Sequence, residues 1–375
     1  MFKIPIFRLK FENSFIRDFQ RGSEKILLSD ALGESVYVRQ FEKDFSKLVH
    51  AKHSVAVTSG TAAIEVALRA VDVRGKVVLM PTNTFFATSV AATNAGAILD
   101  FLDIEPETLS IDPDALEESI RKHGAKKIGA VIVVHIGGII SRHIKRLASI
   151  CRRHRIPLIE DAAHAQTSAR DGEYAGSIGA IGCFSFFPTK VMTTGEGGMV
   201  TTADDNLLAR IKSLKDFGRP PHDGNLCVLE QGSNYKVSEF MGLFGVLECK
   251  RVKERVKRRN ALLKRYIRNL KSSGYEPVLQ TEGNCSYYKC ILRTPPHLKR
   301  DWLKAYCKER SITLTGEVYR IPLHRQPLYQ DAFSKKTFPV TDAFADHHIC
   351  PPLYPELSDA EVDYVCDTLL QALKV

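Results

Sequence analysis

Through the first two-thirds of the chain, short apolar runs rich in β-branched residues alternate with segments whose apolar positions recur at helical spacing. The runs fall at 53–58, 76–80, 97–102, 128–135, 156–160, 180–186 and 198–201. Each is brief and nearly continuous in Val, Ile, Leu, Ala or Phe, the signature of strands buried on both faces. Helical patterns lie between them at 61–71, 88–95, 113–122 and 144–154. This alternation predicts an α/β fold built on a large, mostly parallel, seven-stranded sheet with helices on both sides. Ligands in such sheets gather at the carboxyl ends of the strands, so the residues just after each run are where chemistry is expected.

Beyond residue 202 the pattern changes. A long helix beginning near Val237 is predicted to lead into a smaller C-terminal α+β domain, with the division at 1–250 and 251–375. Short strands are expected at 286–292 and 313–318, and a closing helix at 359–373. Ser358 and the acidic turn after it supply that helix with an N-cap.

Composition narrows the class. At 375 residues and 44% hydrophobic, the chain can build one large and one smaller core. No apolar run approaches the roughly 20 residues a membrane helix needs. The opening MFKIPIFRLKFENSF shows no signal-peptide core, so neither a membrane span nor secretion is expected. Nine scattered cysteines without a CxxC pair fit reduced thiols in the cytoplasm. The net charge is +10, and much of it comes from 250–271. There Val252, Val256, Leu263, Ile267 and Leu270 hold helical spacing, which makes the basic residues a solvated helix face. With no interleaved aromatics, helix-turn-helix or zinc-finger pattern, nucleic-acid binding is not expected.

The candidate chemistry sits at strand ends. Asp161 closes the apolar run 156–160, and Lys190 follows in a hydroxyl-, aromatic- and glycine-rich stretch running to Gly198. A lysine amine can form a Schiff base with an aldehyde cofactor, while a buried carboxylate keeps a pyridine nitrogen protonated so that the ring draws in electrons. That pairing points to pyridoxal 5′-phosphate (PLP). Apolar surroundings lower a lysine's pKa, which such chemistry requires. Ser59, Gly60 and Thr61 join a strand to a helix whose N-terminus can hold a phosphate, although the same residues read equally as an ordinary capped turn. Ser185 offers a hydroxyl at the end of the next strand. His164 lies one helical turn past Asp161, either beside a cofactor or as a core histidine. Phe85 can stack on a flat ring or pack with Phe86. Neither GxxxxGK[ST] nor a strand-linked GxGxxG is present.

In order along the chain stand FEKDFSKLVHAKHSVAVTSGTAAIEVAL, PTNTFFATSVAATNAGA, FLDIEPETLSIDP, VVHIGG, IEDAAHA, FSFFPTK with TTGEGGMV, GSNYKVSEFMGLFG, and PLHRQPLY with PPLYPELSDAEVDYV. This series resembles the DegT/StrS-type aminotransferases, PLP enzymes of fold type I acting on nucleotide-linked keto-sugars. The resemblance implies Lys190 as the Schiff-base lysine and proton shuttle, with Asp161 on the pyridine nitrogen. It implies Gly60, Thr61 and Ser185 on the phosphate, joined by Asn234 from a neighbouring subunit. Phe85 would lie against the ring, His164 near its O3′ side, and His324 along the sugar pocket. A homodimer with shared sites follows, using L-glutamate as donor and a nucleotide-diphosphate keto-sugar as acceptor at C3 or C4. Alternatives are a keto-cyclitol acceptor, or a PLP-binding regulatory protein without turnover. The chain departs from the family at SDALGESVYVRQFE, where a Thr-x-Gly-Pro-type turn is usual, at Phe187, and at Val191 and Met192. Relatives with histidine for the lysine are dehydratases, so Lys190 implies transamination.

Overall fold

A side-chain period of two decides how the central sheet is covered. The computed structural model describes residues 3–220 and 227–375. In chain order, α1 (Asn13–Leu27) and α2 (Val36–Leu48) precede β1 (His53–Val57), α3 (Gly60–Ala70), β2 (Val77–Pro81), α4 (Phe86–Asn94) and β3 (Ile98–Leu102). Next come α5 (Pro113–His123), β4 (Ile128–Val134), α6 (Ile144–His154) and β5 (Leu158–Asp161). A tight hairpin, β6 (Ala169–Arg170) and β7 (Glu173–Tyr174), leads to β8 (Ile181–Ser185), β9 (Gly198–Thr202), α7 (Asp205–Lys215) and α8 (Glu239–Asn269). The seven-stranded sheet runs β1-β9-β8-β5-β4-β2-β3, with β9 antiparallel to both neighbours and every other pairing parallel.

On β2, Val78 and Met80 join one core while Val77 and Leu79 join the other; on β4, Ala130 and Ile132 oppose Val131 and Val133. Helix α3 covers the first face with Ala62, Ala63, Val66 and Ala67. Helices α2, α5 and α6 cover the second with Phe41, Phe45, Leu116, Ile120 and Leu147. Each of the larger side chains, such as Val66, Phe41 or Leu147, contributes about 1.5–3 kcal/mol when taken from water. Because both faces are buried, the strands read as unbroken apolar runs.

The same parity aims the site. Ile159 and Cys183 belong to the α3-side core. Asp161 and Ser185, each two positions further on, therefore emerge on that face at the strands' carboxyl ends. Glu160 points the other way and is fully buried. Its carboxylate accepts from the N–H groups of Gly176 (2.9 Å), Ile178 (2.7 Å) and Gly179 (2.7 Å), and its Oε2 lies 2.9 Å from His135 Nε2. One strand thus supplies a structural carboxylate and an open one side by side.

The smaller part of the molecule adds β10 (Glu276–Pro277), β11 (Leu292–Arg293), α9 (Arg300–Glu309), α10 (Pro339–Asp346), β12 (His348–Ile349) and α11 (Asp359–Ala372). Its antiparallel sheet, β10-β11-β12, is built of two-residue strands. The strands expected at 286–292 and 313–318 shrink to Leu292 and to nothing, because Tyr287 at φ +41° and Gly316 at φ +75° break both extended runs. Helix α8 passes through residue 250 without interruption, so the expected division falls inside one helix of 31 residues. The chain's start also joins this end of the molecule: Ile4 bridges Ile312, and Arg8 pairs with Glu361 at 3.2 Å.

The basic face expected on α8 is only partly solvated. Arg255 pairs with Glu356 at 2.8 Å, and Arg258 and Arg265 each pair with Asp359 at 2.9 Å, at the start of α11. Arg259 is wholly buried and donates to the carbonyl of Leu353 at 2.7 Å. All nine cysteines are unpaired, and no helix among the described residues is long and apolar enough to cross a membrane.

Candidate active site

The N-terminus of α3 meets the end of β8 at a contact only glycine permits. A Cβ at Gly60 would stand 2.7 Å from Ser185 Cβ and 3.1 Å from its Oγ. Ser59 caps the helix by accepting from Ala62 N–H at 3.0 Å. The N–H groups of Gly60 and Thr61 have no partner among the described residues, and the Ser185 hydroxyl lies beside them. Free donors at a helix's positive end, with a hydroxyl added, form an anion cradle.

Asp161 faces the same space. Its Oδ2 accepts from the Thr88 hydroxyl at 2.9 Å and its Oδ1 from Ala163 N–H at 3.2 Å. Burial raises its pKa, and those two hydrogen bonds and the Lys190 charge only partly offset the shift. No cation is bonded to it among the described residues. It is an acceptor that a buried N–H⁺ of a ligand would satisfy.

Lys190 Nζ has neither a hydrogen bond nor an ion pair among the described residues and stands 4.8 Å from the centroid of the Tyr288 ring. Burial pulls its pKa below the ordinary lysine range, and Lys289 adds to that, while Tyr288 and Asp161 pull the other way. The Tyr288 hydroxyl is 2.9 Å from Thr189 Oγ1, so the ring is tied to the residue before the lysine. His164 lies against Tyr288, ring centroids 4.2 Å apart. Burial, with the Lys190 charge, holds the His164 pKa well below its usual value. Its Nδ1 accepts from Gly137 N–H at 3.3 Å. A neutral ring so arranged keeps its proton on Nε2, a donor.

These groups surround one cavity of about 380 Å³. Gly60, Thr61, Phe85, Asp161, His164, Ser185 and Lys190 all line it, brought from four separate segments. Two of the expected residues stand elsewhere. His324 has both nitrogens engaged, Nδ1 with Thr82 Oγ1 at 2.8 Å and Nε2 with Asp342 at 3.0 Å, and stacks on Phe338. It fastens segments together and does not line the cavity. Asn234 bridges Asp216 in the stretch between α7 and α8 and does not line this chain's cavity. Sequence reasoning missed Thr88, Tyr288 and Lys289. Thr88 was legible only as a helix start, and Tyr288 and Lys289 only as part of an expected strand.

Residues 15–370 match the DegT/DnrJ/EryC1/StrS aminotransferase family. The chain belongs to that family. It is 32% identical over 366 residues to the spore coat polysaccharide biosynthesis protein SpsC of Bacillus subtilis, covering 93% of this chain and 92% of that one. It is 28% identical over 365 residues to a GDP-perosamine synthase of Vibrio cholerae, covering 93% and 95%. The PLP form of a putative sugar aminotransferase of Streptococcus pneumoniae shares the fold, with a TM-score of 0.90 at 24% identity over 100% of this chain and 99% of that one. The fold is thus the fold type I architecture expected, and the group that neighbour carries, PLP, can be tested against this site. The residues present fit it: an anion cradle for the phosphate, an unpaired buried carboxylate for the ring nitrogen, a free amine for the aldehyde, and a neutral histidine able to donate.

Proposed function

We propose that the protein transfers an amino group from L-glutamate to a keto-sugar carried on a nucleoside diphosphate, at C3 or C4, as a homodimer in which Asn234 reaches the neighbouring subunit's phosphate cradle. The observation that carries this reading is the pairing of Lys190 with Asp161 across one cavity floored by the Gly60–Ser185 cradle. Relatives named for GDP- and UDP-linked amino sugars support the acceptor class.

When bound, PLP condenses with amines and its protonated ring withdraws electrons from the neighbouring carbon. The protein's own residues do the rest. Gly60, Thr61 and Ser185 fix one end by the phosphate. Asp161, steadied by Thr88 and Ala163, holds the proton on the ring nitrogen. His164 Nε2 would donate toward a ring oxygen, and Phe85 would cover a face. Lys190 Nζ, its pKa lowered by burial, would act as the free base that takes the proton from the donor's amine-bearing carbon.

Incubating the PLP-loaded protein with L-glutamate tests this. The expected result is release of 2-oxoglutarate with loss of the cofactor's visible absorbance, reversed on adding a nucleotide-linked keto-sugar. A protein that leaves the absorbance unchanged is a scaffold, and one regenerated only by keto-cyclitols serves a different acceptor.

A further inference from the structure

Tyr288 has a second ammonium on its ring. Lys289 Nζ lies 4.9 Å from the centroid, against 4.8 Å for Lys190 Nζ, so one ring contacts both amines. Lys289 lines the same cavity and is half-buried. Its ammonium has no hydrogen bond or ion pair among the described residues. The acid on the segment facing it, Glu317, is already taken by Lys304 at 2.6 Å. Gly316, with φ +75°, makes the room: a Cβ there would stand 2.9 Å from Lys289 Nζ. A partly desolvated charge without a partner costs stability, and such a charge in a cavity suits an anion that arrives with the ligand. Its field reaches the reacting centre, since it helps depress the pKa values of both Lys190 and His164.

We infer that Lys289 recognises the α-carboxylate of the amino-acid donor and so selects α-amino acids over amines that lack it; this rests on the aminotransferase reading above. The α-carboxylate is attached to the carbon that bears the amine, the same carbon Lys190 deprotonates, so it must lie within a short reach of Lys190. The diphosphate of a sugar nucleotide is separated from its carbonyl by the sugar ring. The cofactor's own phosphate is held at Gly60 and Ser185. The γ-carboxylate of glutamate is separated from that carbon by the rest of the side chain, so of the four anionic groups the site handles, only the donor's α-carboxylate must sit next to the reacting amine.

The test compares L-glutamate with its α-amide in the donor half-reaction of the PLP-loaded enzyme, in wild type, Lys289→Gln and Lys289→Arg. Wild type should prefer the acid. Lys289→Gln should lower kcat/KM for the acid on the order of 10–100-fold more than for the amide, the scale of a lost charge-assisted hydrogen bond, while the smaller loss common to both donors reports the charge's field on Lys190 and His164. Lys289→Arg should restore part of the preference. The inference is overturned if wild type does not discriminate, if both donors lose equally, or if only the KM for the sugar nucleotide rises. Failure of the wild-type enzyme to convert any donor would instead strike the aminotransferase reading itself.

Discussion

Lys190 Nζ stands 4.8 Å from the ring centroid of Tyr288, whose hydroxyl is tied to Thr189 at 2.9 Å. The ring attracts the ammonium, and the Thr189 contact fixes the ring, so lysine and tyrosine are positioned as a unit. A desolvated cation–π contact is worth up to about 2 kcal/mol. Tyr288→Leu is expected to lower kcat roughly 30-fold, and Tyr288→Phe, which keeps the ring, less than tenfold. Tyr288 also raises the Lys190 pKa. Competitive amine labelling of the cofactor-free protein should therefore show Lys190 titrating at lower pH in both variants. Wild-type kcat in Tyr288→Leu means that the ring does not position the amine.

Thr88 acts on catalysis through Asp161. Its hydroxyl is hydrogen-bonded to the charged form of a buried carboxylate, lowering a pKa that burial has raised. Without it the carboxylate should protonate more readily, so Thr88→Val is expected to move the acid limb of the kcat profile to higher pH and cost about tenfold near neutrality. Asp161→Asn cannot hold the ring proton and should lose on the order of 10³-fold. A Thr88→Val profile superimposed on wild type rules out the coupling.

The seven-stranded sheet and its helices were legible because the strands are buried on both faces and the helices on one, so each leaves an unbroken or periodic trace. Asp161, Ser185 and Lys190 could be read because they follow those traces at strand ends. The C-terminal part of the chain could not be read in the same way. Its strands are two residues long, and a run such as 286–292 turns at Tyr287 while looking extended in sequence. Tyr288 and Lys289 belong to the site only because the chain folds back 99 residues after Thr189, a proximity that no local pattern encodes. Thr88 was hidden for another reason: a threonine at a helix start normally serves the helix, and here it serves a strand.

Gly60 is required by contact, not by backbone angle. The Cβ of an alanine would stand 2.7 Å from Ser185 Cβ, forcing α3 and β8 apart at the proposed phosphate cradle. Overpacking of this kind costs about 1–3 kcal/mol. Gly60→Ala is expected to fold with a lowered Tm and to bind PLP on the order of 10–100-fold more weakly, read by cofactor titration. Unaltered PLP affinity would show that the cradle lies elsewhere.

His348 ties stability to pH. It is fully buried, its Nδ1–H donating to the Phe344 carbonyl at 2.7 Å and its Nε2 accepting from Val318 N–H at 3.1 Å, an arrangement only the neutral ring satisfies. Burial lowers its pKa from 6.5 to about 4. The unfolded chain therefore takes up this proton first, and stability falls as the pH drops from about 6.5 toward about 4, by roughly 3 kcal/mol over that window. His348→Gln should be less stable at neutral pH but lose less between those limits, as urea unfolding at several pH values will show. An equal slope in both proteins means the residue is not the group that titrates.

Asn234 offers a test of the dimer that needs no second structure. It does not line the cavity of its own chain, yet the family resemblance assigns it to a phosphate site. If it acts across the subunit boundary, Lys190→Ala and Asn234→Ala damage different sites of a mixed dimer. One site of that dimer then carries both defects and the other carries none. Subunits mixed in equal amounts and allowed to exchange should recover roughly a quarter of wild-type activity at limiting PLP, because half the dimers are mixed and half their sites intact. If Asn234 serves its own chain, every site in the mixture has one defect, and the activity stays at the average of the two variants.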